Sequence, residues 1–323
     1  MTLEPADHLS AMATGATQAP TLGLASAGES AELPPAAPGL GRRIRHSLRS
    51  DKPAIVSITL LVLLALAAVL APLLAPHDPL HTFADGISSD GAPLGPGGKF
   101  PLGTDPSGRD VLSRLLFGAR VSLTIGILAN GLATVIGVFV GLCAGYLGGW
   151  VETILMRLTD IVMSFPILLF CIALIAVTGP SERNVIIVIA LIYWTTLARI
   201  TRSLVLSLKE REFVVAARAL GLSHWRIMRK HLFPHLVPTI IVYATLGVAS
   251  SILIEASLSF LGIGVPIPNP SWGQMIDQGR EYYQIAPWLL IFPGLCLVLT
   301  VLSFNLAGDW LRDLLDPTAA ERR

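Results

Sequence analysis

The sequence predicts an all-α integral membrane protein with six transmembrane helices. Three observations predict this fold class: 53% of the residues are hydrophobic, only 14% are charged, and several long runs carry no charge at all. A soluble domain has about 25% charged residues. A soluble chain of 323 residues could not cover this much apolar surface with so few charges.

The charge balance and the cysteines exclude other classes of protein. The net charge of +1, from 23 basic and 22 acidic residues, provides no basic field that would attract a nucleic acid. The three cysteines (Cys143, Cys171 and Cys296) lie inside apolar runs, where a disulfide framework is not expected. A nucleic-acid-binding protein, a small secreted protein and a zinc module are therefore excluded.

The first transmembrane helix follows an N-terminal tail. Residues 1–41 are rich in Ala, Pro, Gly, Ser and Thr, so they bury too little apolar surface to fold, and we expect a disordered cytoplasmic tail. The tail has no hydrophobic segment of the kind found in a cleaved signal peptide. From Pro53 to Pro76 no residue is charged, which is long enough for a span of about 20 residues, at about 54–75.

Five further apolar runs predict the remaining helices, and the basic residues predict their orientation. Lys and Arg are retained on the cytoplasmic side of a membrane. They cluster before the first helix, between the fourth and fifth helices, and at the C-terminus, so both termini are expected in the cytoplasm. The predicted transmembrane domain covers 42–316, with an outer loop at 76–117, a cytoplasmic loop at 207–235, a tail at 317–323, and helices at about 118–147, 154–178, 184–206, 236–260 and 285–308.

The second predicted helix carries a small residue at every fourth position. Four residues make slightly more than one helical turn, so these residues form a ridge along the helix. A ridge of small residues lets the backbone of another helix approach closely. We predict a packing seam rather than a substrate site, formed by Ala129, Ala133, Gly137, Gly141 and Gly145.

The cytoplasmic loop has the pattern of two short helices. Glu212–Leu220 consists mostly of helix-forming residues, and Gly221 is suited to the left-handed position that ends a helix. Ser223 is suited to cap a second helix, which we expect to stop at Pro234. A basic amphipathic helix needs an apolar surface on which to lie. The pattern is compatible with two such surfaces, the lipid surface and a groove on a partner protein.

This loop resembles the "EAA" loop of binding-protein-dependent ABC importer permeases. The resemblance rests on Ala216, Ala217, Gly221 and Pro234, although Val215 stands where the family usually has a glutamate. His231 and Phe233 also depart from the family's common isoleucine and leucine. In that family the loop docks into a cleft of a cytoplasmic ATPase. The resemblance implies that the ATPase-coupling residues are Ala216, Ala217, Gly221, Leu222, Ser223, His224, Trp225, Arg226, Met228 and Pro234.

Two other segments resemble peptide and nickel importer permeases. Pro101–Arg120 resembles the segment that leads into their second helix, and Glu255–Gly264 with Pro270–Gly273 resembles the end of their fifth. The long first outer loop is similar to that of the C-type member of the dipeptide and oligopeptide permease pair. The resemblance covers about residues 42–316 and implies the type I ABC importer permease fold in a bacterial inner membrane.

The resemblance also implies a set of partners. These are a related B-type permease, two ABC ATPase subunits, an extracytoplasmic solute-binding protein and the membrane lipid. The chain lacks the G-x-x-x-x-G-K-[ST] pattern of a nucleotide site, and its hydroxyls show no nucleophile-and-base pattern. We therefore predict a subunit that is not an enzyme and holds no cofactor, with ATP and Mg²⁺ bound by the partner ATPases.

Three sets of polar residues remain as candidates for function. Glu255 and Asp160 lie within predicted helices, where a carboxylate either contacts the pathway or a gate or is satisfied by a neighbouring helix. The second interpretation is favoured for both. His77, Asp78 and His81 lie just outside the first helix and could bind a metal. Pro79 lies between the two histidines and does not hold them in ligand geometry, so we predict a polar loop without a metal.

The sequence thus predicts half of a translocation pathway for di- or oligopeptides, coupled to ATPase subunits. Nickel, an opine or glutathione would fit the same architecture. An ion-driven secondary transporter is a weaker alternative, because neither a clear inverted repeat nor several intramembrane ionisable groups occur. A membrane enzyme would need a clustered set of acids, bases or metal ligands that the outer loop does not offer.

Overall fold

The computed structural model describes residues 51–315, so the predicted tails at 1–41 and 317–323 lie outside the described residues. This part of the chain is helical, without strands, apart from three isolated bridges in the outer loop. The helices are α1 (Lys52–Val69), α2 (Ala71–Leu74), α3 (Val111–Leu147), α4 (Gly149–Met163), α5 (Ile167–Thr178), α6 (Glu182–Leu208), α7 (Glu212–Ala219), α8 (His224–Ile227), α9 (Phe233–Phe260), α10 (Trp272–Gly279) and α11 (Trp288–Leu315).

Five helices are long and apolar enough to cross a membrane: α1, α3, α6, α11 and the helix that runs unbroken from His224 to Phe260. α4 and α5 pass the same test only together, and they meet at an angle of 91°. The described chain therefore has five such helices, or six if the bent pair is one span. This agrees with the predicted fold class.

Polar side chains fix where several helices begin. Asp110 Oδ2 accepts from the Ser113 N–H (2.9 Å) at the start of α3. Ser181 Oγ accepts from the Asn184 N–H (3.1 Å) at the start of α6. Each bond satisfies one of the amides that a helix start leaves free. Because Asp110 caps α3, this helix is longer at its outer end than the predicted span at 118–147.

The core forms where α3 packs along α6 and α9, with α11 and α1 completing the bundle. At one end of the bundle the outer loop and α10 pack together, with Trp272 completely buried. At the other end the loop at 207–235, which is predicted to be cytoplasmic, packs against the ends of α3 and α6. The two ends of the bundle therefore carry different candidate sites.

Candidate functional site

The predicted cytoplasmic loop folds into α7 and α8, joined by a tight turn at Gly221. The Gly221 N–H donates to the Arg218 carbonyl (2.9 Å), and the Leu222 N–H donates to the Ala217 carbonyl (3.2 Å). Gly221 has a φ of +72°, which L side chains rarely adopt. This pair of bonds defines a Schellman motif. The structure thus has the helix end that the sequence predicted at Gly221.

Two details of the second loop helix differ from the prediction. Ser223 precedes α8, but its side chain makes no capping hydrogen bond. The residue is exposed, so water can satisfy the free amides instead. The helix also does not stop at Pro234. A π-helical turn at Met228–Leu232 precedes the proline, and the wider turn shifts the hydrogen-bond register so that a residue without an N–H is accommodated.

The loop is attached to the ends of α3 and α6 by apolar and polar contacts. Ile227, Met228 and Leu232 are buried in a cluster with Leu142 of α3 and Val205 of α6. Polar contacts reinforce this attachment. The His224 Nδ1 and Tyr146 Oη atoms lie 3.3 Å apart, and Lys209 Nζ donates to the Gly145 carbonyl (3.3 Å). A force on this loop would therefore reach two long helices.

The opposite face of the loop is exposed, apolar and cationic. Leu220 is 80% exposed, Trp225 56% and Val215 49%. Arg226 and Arg218 are exposed beside them. A surface that combines large apolar groups and cations is typical of an interaction site. Below, "the docking face" means these five residues.

The ten predicted coupling residues divide between the two faces of the loop. Ala217 and Met228 are buried and Leu222 is half-buried, so these three hold the loop in shape. Two further residues of this region were not predicted from the sequence. Leu220 is the most exposed member of the docking face, and the ring of Tyr146 contacts both His224 and Arg218. Only three-dimensional contact identifies Tyr146. The remaining predicted coupling residues are exposed: Ala216, Gly221, Ser223, His224, Trp225, Arg226 and Pro234.

The stripe of small residues on α3 faces α6. A Cβ atom on Gly137 would lie 2.5 Å from the Trp194 carbonyl oxygen, and one on Gly145 would lie 2.8 Å from Val205 Cβ. Ala129 and Ala133 are buried in the same contact. Helices α3 and α6 therefore approach so closely that their contact has no room for larger side chains.

Glu255 is completely buried at the outer end of α9 and is satisfied by hydroxyl groups. The Ser259 hydroxyl donates to its Oε1 atom (2.7 Å), and the Ser122 hydroxyl of α3 donates to its Oε2 atom (3.1 Å). The Trp272 N–H donates in turn to Ser122 Oγ (3.3 Å). The Glu255 carboxylate therefore connects α9, α3 and the start of α10. Both of its oxygens are satisfied, which agrees with the interpretation that it is a hydrogen-bonded residue at a helix end.

Asp160 pairs with a neighbouring helix but stays half exposed. Its Oδ1 atom lies 2.6 Å from Arg199 NH2 on α6, and both side chains are 50% exposed. Four residues further on, the chain bends at Ser164–Pro166, and these three residues are exposed too. The predicted span at 154–178 is thus interrupted, because Pro166 cannot continue α4 and disfavours a helical Phe165.

The outer loop is held by a buried network of charges. Arg109 Nε donates to Asp105 Oδ2 (2.7 Å), and the Nε atom of the completely buried Arg114 lies 3.3 Å from the same oxygen. Asp110 is also buried, 3.6 Å from the Nδ1 atom of His77. These residues tie the loop to the first turn of α3, so the network has a structural role.

Other polar residues of the outer loop make local contacts. Lys99 donates to both carboxylate oxygens of Asp85 (3.1 and 2.8 Å), and this hydrogen bond lowers the pKa of the exposed Asp85 carboxyl. His81 stacks edge-on against Phe83. Within residues 51–315, no group of three or more His, Cys, Asp or Glu residues is arranged to hold a metal ion.

Long apolar helices with an anchored helical loop at one end are the architecture of a multi-span membrane protein. Residues 133–321 match the family model described as "Binding-protein-dependent transport system inner membrane component", and residues 39–93 match "N-terminal TM domain of oligopeptide transport permease C". The chain belongs to this family of inner membrane components. It is a permease subunit of an ABC importer, as its loop sequence predicted.

Curated relatives align over most of the chain. The dipeptide transport system permease protein DppC of Alkalihalophilus pseudofirmus is 41% identical over 85% of this chain and 89% of its own length. The di/tripeptide transport system permease protein DppC of Pseudomonas aeruginosa is 39% identical over 84% and 90%. The glutathione transport system permease protein GsiD of Pectobacterium atrosepticum is 39% identical over 84% and 89%.

The fold is also similar to that of a solved importer. A chain of the MetNI methionine ABC transporter, crystallised in an inward facing conformation, superposes with a TM-score of 0.52. The match covers 63% of this chain and 96% of that chain, at 19% sequence identity. This likeness confirms the predicted ABC importer permease fold.

Proposed function

We propose that this subunit forms half of a translocation pathway for di- and oligopeptides and couples that pathway to two ABC ATPase subunits. The observation that carries the coupling proposal is the docking face, which is exposed although α7 and α8 are firmly attached to α3 and α6. The peptide substrate is supported by the dipeptide and di/tripeptide permeases among the relatives.

The docking face suits a protein groove better than a lipid surface. Trp225 and Leu220 are available as anchors, and aromatic and arginine residues are enriched in protein interfaces. We propose that an ATPase subunit covers this face through the predicted coupling residues. ATP and Mg²⁺ then bind to the ATPases, and this chain supplies no catalytic group.

Helix continuity provides a route for the motion. α8, the π-helical turn and α9 form one unbroken helix from His224 to Phe260, and Arg211 links α7 to the end of α6 through a short turn. A displacement of α8 by the ATPases therefore tilts α9, whose outer end carries Glu255. This tilt is the step that we propose switches the pathway between inward and outward access.

Asp160 is a better candidate than Glu255 for a residue that contacts the translocation pathway. A half-exposed ion pair and an exposed helix break are both costly against lipid, because lipid offers no hydrogen bonds to charges or free carbonyl groups. Asp160 lies about 17 Å along the axis of α4 from Gly149, the first residue of that helix, at a rise of about 1.5 Å per residue. We propose that this surface faces the aqueous pathway or the B-type permease, and that Glu255 acts through structure alone.

The remaining assembly follows from the same proposal. An extracytoplasmic binding protein delivers the solute to the outer loop, and the permease domain spans residues 42–316 in the inner membrane. Both termini, including the tails at 1–41 and 317–323, are cytoplasmic.

The test of coupling compares two exposed tryptophans near the cytoplasmic end. We expect Trp225→Ala to lower both ATPase co-purification and ATP-driven dipeptide uptake about tenfold or more, since a buried interface tryptophan contributes about 2 kcal/mol. The control is Trp150→Ala at the start of α4, where the side chain is 74% exposed and outside the docking face. Equal behaviour of the two variants, with the ATPases bound, would contradict the proposal.

Glutathione is a second candidate substrate, because glutathione permeases align equally well. A competition experiment separates the two substrates. Unlabelled glutathione should leave the uptake of a labelled dipeptide unchanged if the system is selective for unmodified peptides. Inhibition by glutathione but not by a second dipeptide would favour glutathione as the substrate.

A further inference from the structure

An open cleft lies at the outer end of the bundle, away from the docking face. It is bounded by residues 72–80, the outer part of α3, the first turn of α6 and residues 269–270. Its volume is about 640 Å³, within the range of about 300–1,000 Å³ that is typical of small-molecule sites. The cleft is therefore large enough for a di- or tripeptide.

Arg120 and Glu182 line this cleft with opposite charges and do not pair with each other. The Asp78 carboxylate also lines it, but its Oδ1 atom already accepts from the Leu80 N–H (2.8 Å). The Arg120 guanidinium is exposed, and no described residue makes a hydrogen bond or an ion pair with it. No ion pair joins the Arg120 and Glu182 side chains. Glu182 Oε1 accepts from Asn269 Nδ2 (3.3 Å), while the described residues donate nothing to Oε2. Each group thus has free hydrogen-bonding capacity.

Apart from these charged groups and His77, the lining of the cleft is mostly apolar and rigid. Pro72, Pro76 and Pro270 line the cleft, together with the ring of Phe117. A proline fixes its own backbone φ, so a wall of prolines changes little when a ligand arrives. Such pre-organisation reduces the entropy that binding costs. The cleft therefore combines an apolar surface with separated charges of both signs.

We propose that this cleft binds a short peptide through its two free termini. The Arg120 guanidinium receives the α-carboxylate, for which its planar fork of donors is suited. Glu182, held by Asn269, receives the α-ammonium group, and the apolar walls contact the side chains. The proposal rests on the proposed function and deepens it, since it names the groups by which this subunit selects unmodified peptides.

The test measures binding of the dipeptide Ala-Phe to the assembled transporter, without binding protein, in nanodiscs of phosphatidylglycerol. The further probes are N-acetyl-Ala-Phe and Ala-Phe-amide, which each lack one terminal charge. We expect calorimetry to show binding of Ala-Phe and about tenfold weaker binding of each blocked peptide, as for the loss of one charged hydrogen-bonding partner.

Variants assign each terminus to its residue. Arg120→Ala should abolish the difference between Ala-Phe and Ala-Phe-amide but keep the effect of N-acetylation. Glu182→Gln should abolish the difference between Ala-Phe and N-acetyl-Ala-Phe but keep the effect of amidation. The control is Arg183→Ala, which removes an exposed neighbouring cation that does not line the cleft and should change neither difference. Crossed selectivity supports the site. Uniform weakening of all three probes overturns it when the variant assembles and melts like the wild type, because misfolding then does not explain the loss.

Three other outcomes would overturn the proposal, and they differ in what they mean for transport. If Ala-Phe does not bind but the complete system with binding protein takes it up, the cleft proposal fails and the proposed function stands. If the complete system takes up no dipeptide at all, both fail. A phospholipid that co-purifies with the wild type, and is lost in Arg120→Ala as seen by native mass spectrometry, would assign the cleft to lipid.

Discussion

Glycines act in two different ways in this subunit, by close approach and by backbone conformation. Gly141 belongs to the first kind, because α6 lies directly against it. A Cβ atom there would lie 2.6 Å from Thr201 Cβ, where real Cβ atoms are essentially never found. A Cβ atom added to Gly131, on the same helix, would meet nothing within 4 Å. The two glycines form a matched pair for a test.

We expect Gly141→Leu to destabilise the subunit, because α3 and α6 would have to separate. Forced overpacking typically costs about 1–3 kcal/mol, so the yield of assembled transporter and its melting temperature in detergent should fall. Gly131→Leu is the control and should leave both nearly unchanged. If Gly141→Leu assembles with the same yield and melting temperature as the control, the close contact of α3 and α6 is not needed for assembly.

Gly221 belongs to the second kind. Its surroundings are open, with nothing within 4 Å of an added Cβ, but its φ of +72° is strained for a β-branched residue. We expect Gly221→Val to disturb the turn, at a cost of about 1–2 kcal/mol, and to lower ATP-driven uptake several-fold. Gly221→Asn should retain most uptake, because asparagine tolerates the left-handed region. Full uptake by Gly221→Val, with the ATPases bound, would contradict the role of this turn.

At the scale of elements, hydroxyl groups around Glu255 connect α9, α3 and α10. Glu255→Ala would leave the Ser122 and Ser259 hydroxyls without their acceptor, which costs about 1–3 kcal/mol for a buried group. We therefore expect a lower melting temperature and a lower yield. Uptake per assembled transporter should stay close to that of the wild type.

Glu255→Gln is the companion variant, because it keeps an acceptor oxygen in nearly the same volume. We expect normal assembly and normal uptake. The informative contrary result is a Gln variant that assembles normally but does not transport. That result would show that the charge at position 255 takes part in transport, which the hydrogen-bonded geometry does not predict.

The sequence predicted most helices well because their signal is simple. A long uncharged run identifies α1, α3 and α11 directly, and the small-residue stripe indicates that another helix lies close to α3. Prolines were harder to interpret. Pro166 lies at a sharp bend, whereas Pro234 lies inside a continuous helix. The difference depends on the π-helical turn at 228–232, which satisfies the backbone by a register shift that no residue pattern reveals.

At the scale of the whole molecule, the two-helix loop at 207–235 could be located from the sequence, whereas the outer cleft could not. The loop is contiguous in sequence, so its helix formers, Gly221 and basic residues appear together. The cleft joins Arg120, Glu182 and Asn269 from three separate segments. In the sequence, Arg120 and Glu182 look like ordinary charged residues at helix ends. Only the folded bundle brings them to one cavity.

The two ends of the bundle give the last prediction, which concerns orientation. The basic residues predict that Asp90 in the outer loop faces the outside, and that Ser223 between α7 and α8 faces the cytoplasm. Both residues are exposed, so a cysteine at either position should react with a maleimide. The natural Cys143, Cys171 and Cys296 are first replaced by alanine to remove background.

In spheroplasts that express the permease without its ATPases, so that the docking face is uncovered, a membrane-impermeant maleimide should label Asp90→Cys at once. It should label Ser223→Cys only after permeabilisation, because the bilayer excludes a charged reagent from the cytoplasm. Each variant serves as the control for the other, since both carry one exposed cysteine on the same background. The reverse pattern would place the docking face outside the cell. An ATPase could not then reach it, and the coupling proposal would fail together with the orientation.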